Sequence, residues 1–399
     1  MDKQFVMEEA EKVLMHTYGR YPVVLDHGEG VHLYETDGTE YLDYAAGIAV
    51  FALGYGNRKY NEALKEQVDK LLHTSNYYYN EPAYLAAKAL TEASEMDKVF
   101  FTNSGTEAIE GAVKLARKYY YNRTGSNNSE IIAMNHSFHG RSMGALSVTG
   151  TKKYREPFEP LIGGAVFAEY NDFESVKALV NERTAAIILE TVQGEGGIYP
   201  ADARFLRQIR ALCSERDIVM ILDEIQCGMG RTGSMFAYQQ YGILPDVMTT
   251  AKALGCGVPV GAFAARLPFA DALTPGDHGT TYGGNPFAAT AVKTVFSLFS
   301  ELAVVENAKK QGEYLYKQLE KVKEDYPALV KDHRGLGLMQ GLELLVPAGP
   351  VIKSVMEKNV ILIGAGANVI RFVPPLVITE KDTDVCIRTL REVLSSLAE

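Results

Sequence analysis

The chain has 399 residues, a formal net charge of −10 and an apolar fraction of 47 %. This length predicts two or three domains and a large buried core. The negative charge argues against a nucleic-acid partner, since few surface cations would neutralise phosphates.

The N-terminus and the cysteines predict a cytoplasmic protein without a membrane partner. Residues 1–15 carry several acids and lack the basic start and apolar core of a signal peptide. No apolar run is long enough to span a bilayer. The four cysteines include no C-x-x-C pair and are typical of reduced thiols in the cytosol. The histidines form no H-E-x-x-H or Cys/His cluster, so no metal is expected.

The predicted elements begin with a hairpin at 31–44 around Asp37-Gly38, followed by a helix at 58–72. Further along the chain the periodicity predicts a strand at 98–103, a helix at 106–121, strands at 131–134 and 165–168, a capping box at 171–174, a strand at 185–190, a helix at 204–212, and strands at 218–224, 247–251 and 260–265. Such apolar strands between helices indicate an α/β protein whose parallel or mixed sheet is covered on both faces.

The pattern changes after Pro286. A helical region is predicted at 287–325, strands near 335–345 and 360–373, and a last helix starting at 379–382. We therefore expect three units. They are an N-terminal segment (1–45), a large domain (46–290), and a small α+β domain (291–399) against which the N-terminal segment packs.

A candidate phosphate site lies at Asn103-Ser-Gly-Thr-Glu-Ala108, where a strand, a turn and a helix start meet. Unpaired N–H groups at a helix start attract an anion, and Ser104 and Thr106 add hydroxyl donors. The alternative is a simple Ser/Thr N-cap.

Two charged features follow neighbouring apolar strands. Asp223 and Glu224 end the 218–224 strand, and Lys252 ends the 247–251 strand. Ligands of open α/β sheets bind beyond the carboxyl ends of the strands. A carboxylate there could pair with a cationic ring nitrogen, and a buried lysine could form an imine with an aldehyde. The alternatives are a surface salt bridge and a solvated lysine.

The segment Gly228-Met-Gly-Arg-Thr-Gly233 matches a dinucleotide-binding fingerprint in its letters. Its context argues against that interpretation, because Asp223 and Glu224 would repel a pyrophosphate and the second strand ends in Lys252 instead of an acid. We predict a Gly-rich turn that holds Arg231. Three further loops follow strands of the same sheet: Phe138-His-Gly-Arg141, Gln193-Gly-Glu-Gly-Gly197 and Gly279-Thr-Thr-Tyr-Gly-Gly-Asn-Pro286.

From about Val23 to the last helix, the order and spacing of these segments resemble the class III, or subgroup II, pyridoxal-phosphate aminotransferases. The segments His73-Thr-Ser-Asn76, Ser137–Arg141, Gln193–Gly197, Cys227–Gly233 and Arg371-Phe-Val-Pro-Pro375 are most similar to the acetylornithine aminotransferase branch. Tyr55, Arg58 and Cys256 depart from the pattern expected for the family. The resemblance implies fold type I, with a mostly parallel seven-stranded sheet in the large domain. It also implies a homodimer whose active site lies at the subunit interface.

The resemblance further implies roles for individual residues. Lys252 would be the Schiff-base lysine and proton shuttle, and Asp223 would pair with the pyridine nitrogen. The other cofactor contacts would come from Ser104, Gly105, Thr106, Phe138, Gln226 and, from the neighbouring subunit, Thr281. The substrate contacts would come from Arg141, Thr280, Arg371 and Glu195. Arg371 would bind the α-carboxylate of glutamate, and Glu195 would pair with Arg371 when the other amino donor is bound.

These roles predict a ping-pong transamination in arginine biosynthesis. N-acetylornithine, or a similar ω-amino donor, would give its amine to pyridoxal 5'-phosphate, and 2-oxoglutarate would take the amine to become glutamate. The alternatives are ornithine, succinylornithine, 4-aminobutyrate or succinyldiaminopimelate as the donor. An aminomutase or decarboxylase of the same fold, or a non-enzymatic binder of a phosphate ligand, would be a different class of protein.

Overall fold

The structure is a computed structural model that describes residues 2–398. The strands are β1 (Leu25–Glu29), β2 (His32–Glu35), β3 (Glu40–Asp43), β4 (Lys98–Thr102), β5 (Glu130–Met134), β6 (Ala165–Ala168), β7 (Thr184–Glu190), β8 (Val192–Gln193), β9 (Tyr199–Pro200), β10 (Val219–Asp223), β11 (Val247–Thr250), β12 (Gly261–Ala265), β13 (Val330–Leu336), β14 (Met339–Leu344), β15 (Val360–Ile361), β16 (Ile363–Gly364) and β17 (Val369–Phe372). The helices are α1 (Lys3–Val13), α2 (Ala46–Ala49), α3 (Arg58–Lys70), α4 (Glu81–Ser94), α5 (Gly105–Thr124), α6 (Met143–Ser147), α7 (Lys152–Arg155), α8 (Phe173–Leu179), α9 (Ala203–Arg216), α10 (Pro286–Glu301), α11 (Val304–Asp325), α12 (Ala348–Met356) and α13 (Glu380–Ala398).

The central sheet has seven strands in the order β4-β12-β11-β10-β7-β5-β6. Six of these strands run in the same direction, and the seventh, β12, is antiparallel to both of its neighbours, β11 and β4. Every residue of β7 and of β10 is buried. The near-continuous apolar runs therefore reflect strands covered on both faces, as predicted, and the mostly parallel seven-stranded sheet is confirmed.

Two four-stranded sheets lie outside the central one, and β8 and β9 form a two-stranded sheet. The N-terminal sheet has the order β1-β2-β3-β15, in which β2 and β3 form the predicted hairpin. Its fourth strand, β15, comes from the C-terminal part of the chain and pairs in parallel with β3. The C-terminal sheet has the order β13-β14-β17-β16.

One prediction about a helix start needs correction. The helix predicted to begin with a capping box at Asn171 has Asp172 as its N-cap, whose carboxylate accepts from Ser175 N. Asn171 has φ 64° and donates instead to the Pro200 carbonyl. The helical region predicted at 287–325 is confirmed, and it consists of two helices, α10 and α11, with a 65° bend between them.

Among the described helices, none alone has both the length and the apolar composition needed to cross a bilayer; the bent pair α10 and α11 meets those two criteria together. Most of α10 is buried against α3 and α4. None of the four cysteines forms a disulfide, and all four are buried.

Candidate active site

The chemistry-bearing residues lie at one edge of the central sheet because the strands that carry them are parallel neighbours. Asp223, the last residue of β10, lies opposite Glu190 of β7 and Thr249 of β11. Lys252 follows two residues after β11. The carboxyl ends of β7, β10 and β11 therefore bring two acids and one amine together at this edge, where α/β proteins bind ligands.

Lys252 is held in an unusual position. Its backbone lies in the left-handed region, with φ 48°, at the start of a short 3-10 turn over Lys252–Leu254. Burial lowers the pKa of the Lys252 amine, an effect opposed by the charges of Glu195, Asp223 and Glu190 and reinforced by that of Arg371. A larger fraction of neutral amine is available at neutral pH than for a solvated lysine, as nucleophilic attack on an aldehyde requires.

Asp223 is buried, and both of its carboxylate oxygens make hydrogen bonds. Its Oδ2 lies 2.7 Å from His139 Nδ1, and its Oδ1 accepts from Ile225 N at 3.0 Å and Thr249 Oγ1 at 3.3 Å. These contacts hold the carboxylate in one orientation. The contact of His139 with Asp223 was not predicted from the sequence.

The predicted phosphate cup is present at the start of α5. Ser104 is the N-cap, and its hydroxyl accepts from Glu107 N at 3.3 Å. Within residues 2–398, the backbone N–H groups of Gly105 and Thr106 have no hydrogen-bond acceptor. Thr106 Oγ1 lies 2.7 Å from Ser142 Oγ. The N-cap and the phosphate-site interpretations therefore coexist, since the cap leaves two donors for an anion.

These groups surround a cavity of about 440 Å³. The predicted residues that line it are Ser104, Gly105, Thr106, Phe138, Arg141, Asp223, Gln226 and Lys252, and they are joined by His139, Glu190, Val192 and the 257–260 loop, among others. The Arg141 guanidinium lies 5.5 Å from the centre of the Phe138 ring and 4.0 Å from that of Tyr154.

An ion pair between a buried arginine and a partly buried glutamate lies beside this cavity. Arg371, in β17, pairs with Glu195 at 2.5 Å and donates to Gln226 Oε1 at 2.9 Å. Burial tends to raise the pKa of Glu195, but the Arg371 guanidinium outweighs it and holds the pKa below its usual range. Arg371 Nε is buried without a partner among the described residues, so this cation retains an unused donor.

Two predicted residues, Thr280 and Thr281, are not among the residues that line this cavity. Thr280 is half-buried and accepts from Gly283 N at 3.1 Å, and Thr281 is exposed on the same loop. Neither lines the cavity of its own chain.

Glu190 is a site residue that the sequence analysis missed, although the available signal was the same as for Asp223: an acid at the end of an apolar strand. Its two oxygens accept from Phe138 N at 3.2 Å and from Gly194 N at 3.1 Å. Burial, followed by the charge of Asp223, raises the pKa of the Glu190 carboxyl well above its usual range.

Two other charged residues of the motifs have structural roles. Glu224 accepts from Thr191 Oγ1 and from the backbone N–H groups of Ala237 and Tyr238. Arg231 is buried in the Gly-rich turn and donates to the carbonyls of Leu338 and Pro374. These contacts agree with the turn predicted around Arg231.

The donor set matches one kind of cofactor. A cofactor with an aldehyde, a basic ring nitrogen and a phosphate would find an amine in Lys252, a carboxylate in Asp223 and free N–H donors at Gly105 and Thr106. The cavity between them has the size expected for a small-molecule site.

Comparison with known proteins agrees with this geometry. The family model for class III aminotransferases matches residues 13–394. Acetylornithine aminotransferase from Clostridium acetobutylicum is 46 % identical over 96 % of this chain and 99 % of its own length.

Two solved structures are also similar. Ornithine aminotransferase from Toxoplasma gondii ME49 has a TM-score of 0.96 at 27 % identity, covering 100 % of this chain and 96 % of that one. Acetylornithine aminotransferase from Elizabethkingia anophelis has a TM-score of 0.89 at 31 % identity, covering 99 % and 100 %. The chain therefore belongs to the class III aminotransferases, enzymes of fold type I that use pyridoxal 5'-phosphate.

Proposed function

We propose that this aminotransferase transfers the amino group of N-acetylornithine to 2-oxoglutarate, producing glutamate and a semialdehyde. The observation that carries the proposal is the Glu195–Arg371 pair beside the cavity that contains Lys252 and Asp223. The C. acetobutylicum relative named for this activity, at 46 % identity over nearly the full length, supports the choice of donor. The pathway we infer is arginine biosynthesis.

The residues divide the chemistry between them. When bound, the cofactor supplies an aldehyde that takes up the amine and a ring that withdraws electrons from the substrate carbon. The Asp223 carboxylate, oriented by His139, would keep the ring nitrogen protonated. The Lys252 amine would bind the aldehyde at rest and move the proton at the substrate carbon. Phe138 would stack on the ring and Gln226 would bond its hydroxyl.

The ion pair explains how one cavity could accept two substrates. With Glu195 on Arg371, the guanidinium is neutralised and a donor that carries its amine on the side chain fits. With Glu195 withdrawn, the planar fork of Arg371 is free to bind the α-carboxylate of glutamate bidentately. Arg141 would hold the other end of the substrate, with Thr280 contacting it as well.

The half-reactions test this proposal directly. Holoenzyme would be mixed with N-acetylornithine, ornithine, succinylornithine, 4-aminobutyrate or succinyldiaminopimelate without keto acid, and the cofactor absorbance followed. We expect N-acetylornithine to change the absorbance fastest and 2-oxoglutarate to restore it. A faster change with another donor would keep the reaction and replace the substrate. Continued turnover of the donor without any keto acid would favour a mutase or decarboxylase.

Substitution of the lysine tests the catalytic assignment. We expect Lys252→Ala to reduce turnover by at least about 10²–10⁴-fold, because it removes the positioned proton carrier. The variant should still bind the cofactor non-covalently, so borohydride should not attach cofactor to the protein. Turnover at the wild-type rate would refute the role of Lys252.

We further infer a homodimer with the active site at its interface. Thr281 and Tyr282 are exposed on the 279–286 loop. The segment just before α4 exposes three more tyrosines, Tyr77, Tyr78 and Tyr79. Asn76 donates to the Gly283 carbonyl at 2.9 Å, so these two segments form one surface. A second copy on this surface would cover the tyrosines, and its Thr281 would reach the cofactor phosphate.

The division into units 1–45, 46–290 and 291–399 also remains a proposal. It is supported by the sheets, because the central sheet takes strands only from 98–265 and the C-terminal sheet only from 330–372. We propose a cytoplasmic location, which suits four buried cysteines that are all free.

A further inference from the structure

The segment that carries Glu195 lies between the central sheet and the C-terminal sheet. We call residues 193–199 the gate loop. It leaves the end of β8 and returns as β9, and these two strands form a short antiparallel ribbon. Glu195 is flanked by Gly194 on one side and by Gly196 and Gly197 on the other, with φ 117° at Gly197. A left-handed φ of this kind favours glycine, and such positions can absorb backbone rotation.

The first end of the gate loop is anchored to the central sheet. The Glu190 carboxylate accepts from Gly194 N at 3.1 Å, and the Gln193 amide donates to the Asn135 carbonyl at 2.9 Å. A side chain at Gly194 would collide with Gln226, since an added Cβ would lie 2.6 Å from its amide carbon. This end therefore has little freedom to move.

The second end is anchored by an arginine from the C-terminal sheet. Arg334 Nε donates to the Gly197 carbonyl at 3.0 Å, and its guanidinium lies 3.8 Å from the centre of the Tyr199 ring. Its Nη1 pairs with Glu343 at 2.7 Å, which orients the guanidinium. The side chain spans from β13 to the gate loop and is largely buried.

Arg334 and Arg371 occupy one row of the C-terminal sheet. Gly341 of β14 is paired with Arg334 on one side and with Arg371 on the other. One row thus supplies both Arg371, which pairs with Glu195, and Arg334, which binds the carbonyl of Gly197 two residues further along the chain. Because the two contacts come from the same rigid row, the spacing between the hinge at Gly197 and the partner of Glu195 is set by the sheet.

We propose that Arg334 is a positioning residue for substrate exchange, which holds the Gly197 hinge so that Glu195 can return to Arg371. This inference rests on the proposed function, in which the closed pair serves the ω-amino donor and the open one serves glutamate and 2-oxoglutarate. Without the anchor, closure must also order the gate loop, so the closed pair is less populated. The donor half-reaction should suffer, and the keto-acid half-reaction should not.

The experiment compares both half-reactions in Arg334→Gln. We expect KM for N-acetylornithine to rise about five- to tenfold, as for the loss of one hydrogen bond, with kcat nearly unchanged. KM for 2-oxoglutarate should be unchanged or lower. Arg334→Lys, which keeps a cationic donor, should recover part of the loss. The cofactor absorbance of the resting variant should equal that of the wild type.

Two further variants separate positioning from a general structural effect. Lys331→Gln, on the same strand, removes another partner of Glu343 without touching the gate loop and should leave both half-reactions unchanged. In a Glu195→Ala background, Arg334→Gln should have no additional effect on the ratio of the two kcat/KM values.

The possible results differ for the inference and for the proposed function. Equal losses in both half-reactions, or an undiminished effect in the Glu195→Ala background, would overturn the role of Arg334 while leaving the transaminase intact. If the wild type rejects N-acetylornithine but accepts another ω-amino donor, the proposed substrate is replaced. The ratio of the kcat/KM values for donor and keto acid would then be measured with that donor. A wild type without any donor half-reaction would overturn both.

Discussion

At the residue scale, three buried carboxylates close to one another differ in role because their partners differ. The Asp223 carboxylate is hydrogen-bonded to His139 and to two further donors, and it faces the cavity. Glu190 binds two backbone N–H groups that belong to the two loops flanking the site. Glu224 follows Asp223 directly but points the other way, onto the backbone at Ala237 and Tyr238. Only the first arrangement provides a carboxylate for a cationic ring.

The pH dependence of stability gives a test of the Glu224 environment. Burial raises the pKa of Glu224 to about 7 from 4.5. The folded protein therefore holds this proton more tightly than the unfolded chain, and the contribution of Glu224 to stability falls as the pH rises from 4.5 to 7. The loss across that window is about 3 kcal/mol, and it is complete above pH 7.

Glu224→Gln removes this titration. Whatever constant cost the amide adds, the unfolding free energy of the wild type minus that of the variant should fall by about 3 kcal/mol between pH 4.5 and 8. Urea unfolding of both proteins at the two pH values measures the difference. Glu215→Gln, at an exposed position, should show a constant difference. A constant difference for Glu224→Gln as well would contradict the assignment.

At the element scale, the site depends on how closely α5 approaches the central sheet. Gly111 lies in the middle of α5, and a Cβ added there would lie 2.2 Å from Cε1 of Phe263, in β12. The glycine thus permits the helix to lie on the sheet with its N-terminus directed at the cavity that Lys252 and Asp223 line. This packing explains a glycine in a helix interior, where it is otherwise unfavourable.

We expect Gly111→Ala to destabilise the protein by about 1–3 kcal/mol, because overpacking outweighs the gain in helix propensity. Gly349→Ala is a matched control in α12, since nothing lies within 4 Å of its added Cβ. That control should be neutral or stabilising by up to about 1 kcal/mol. Thermal unfolding of the two variants should therefore shift in opposite directions, or the control should not shift. A stabilised Gly111→Ala would mean that α5 does not lie this close to β12.

At the scale of the whole molecule, the single chain leaves an apolar surface that a dimer would cover. Tyr77, Tyr78 and Tyr79 have exposed fractions of 94 %, 70 % and 107 %, and Tyr282 of 61 %. Four exposed tyrosines on two hydrogen-bonded segments form a patch of the kind enriched at protein interfaces.

We expect the wild type to sediment as a dimer and Tyr79→Glu to shift it towards the monomer, since a charge would be buried without a partner. Activity should fall with the dimer fraction, because Thr281 would no longer reach the neighbouring site. Tyr121→Glu, at an exposed tyrosine on α5, should remain dimeric. A fully active wild-type monomer would contradict the shared site.

Local sequence determined most of the fold. Apolar strands between helices predicted the central sheet, and acid and lysine residues at strand ends predicted the site, because parallel strands place their carboxyl ends at one edge. The hairpin at 31–44 was correct because a two-residue turn signal acts locally. The capping box at Asn171 was wrong by one residue, since Asn171 instead contacts Pro200 and Asp202.

Only the tertiary structure decided which residues act together across long separations. His139 contacts Asp223 from 84 positions away, and Arg371 contacts Glu195 from 176 positions away. Arg334 contacts Gly197 from β13, where the register of β13, β14 and β17 places it in the same row as Arg371. Residue types and periodicity specify elements through local interactions, whereas these contacts depend on how whole sheets pack. That packing places Arg371 on the Glu195 carboxylate and Arg334 on the Gly197 carbonyl.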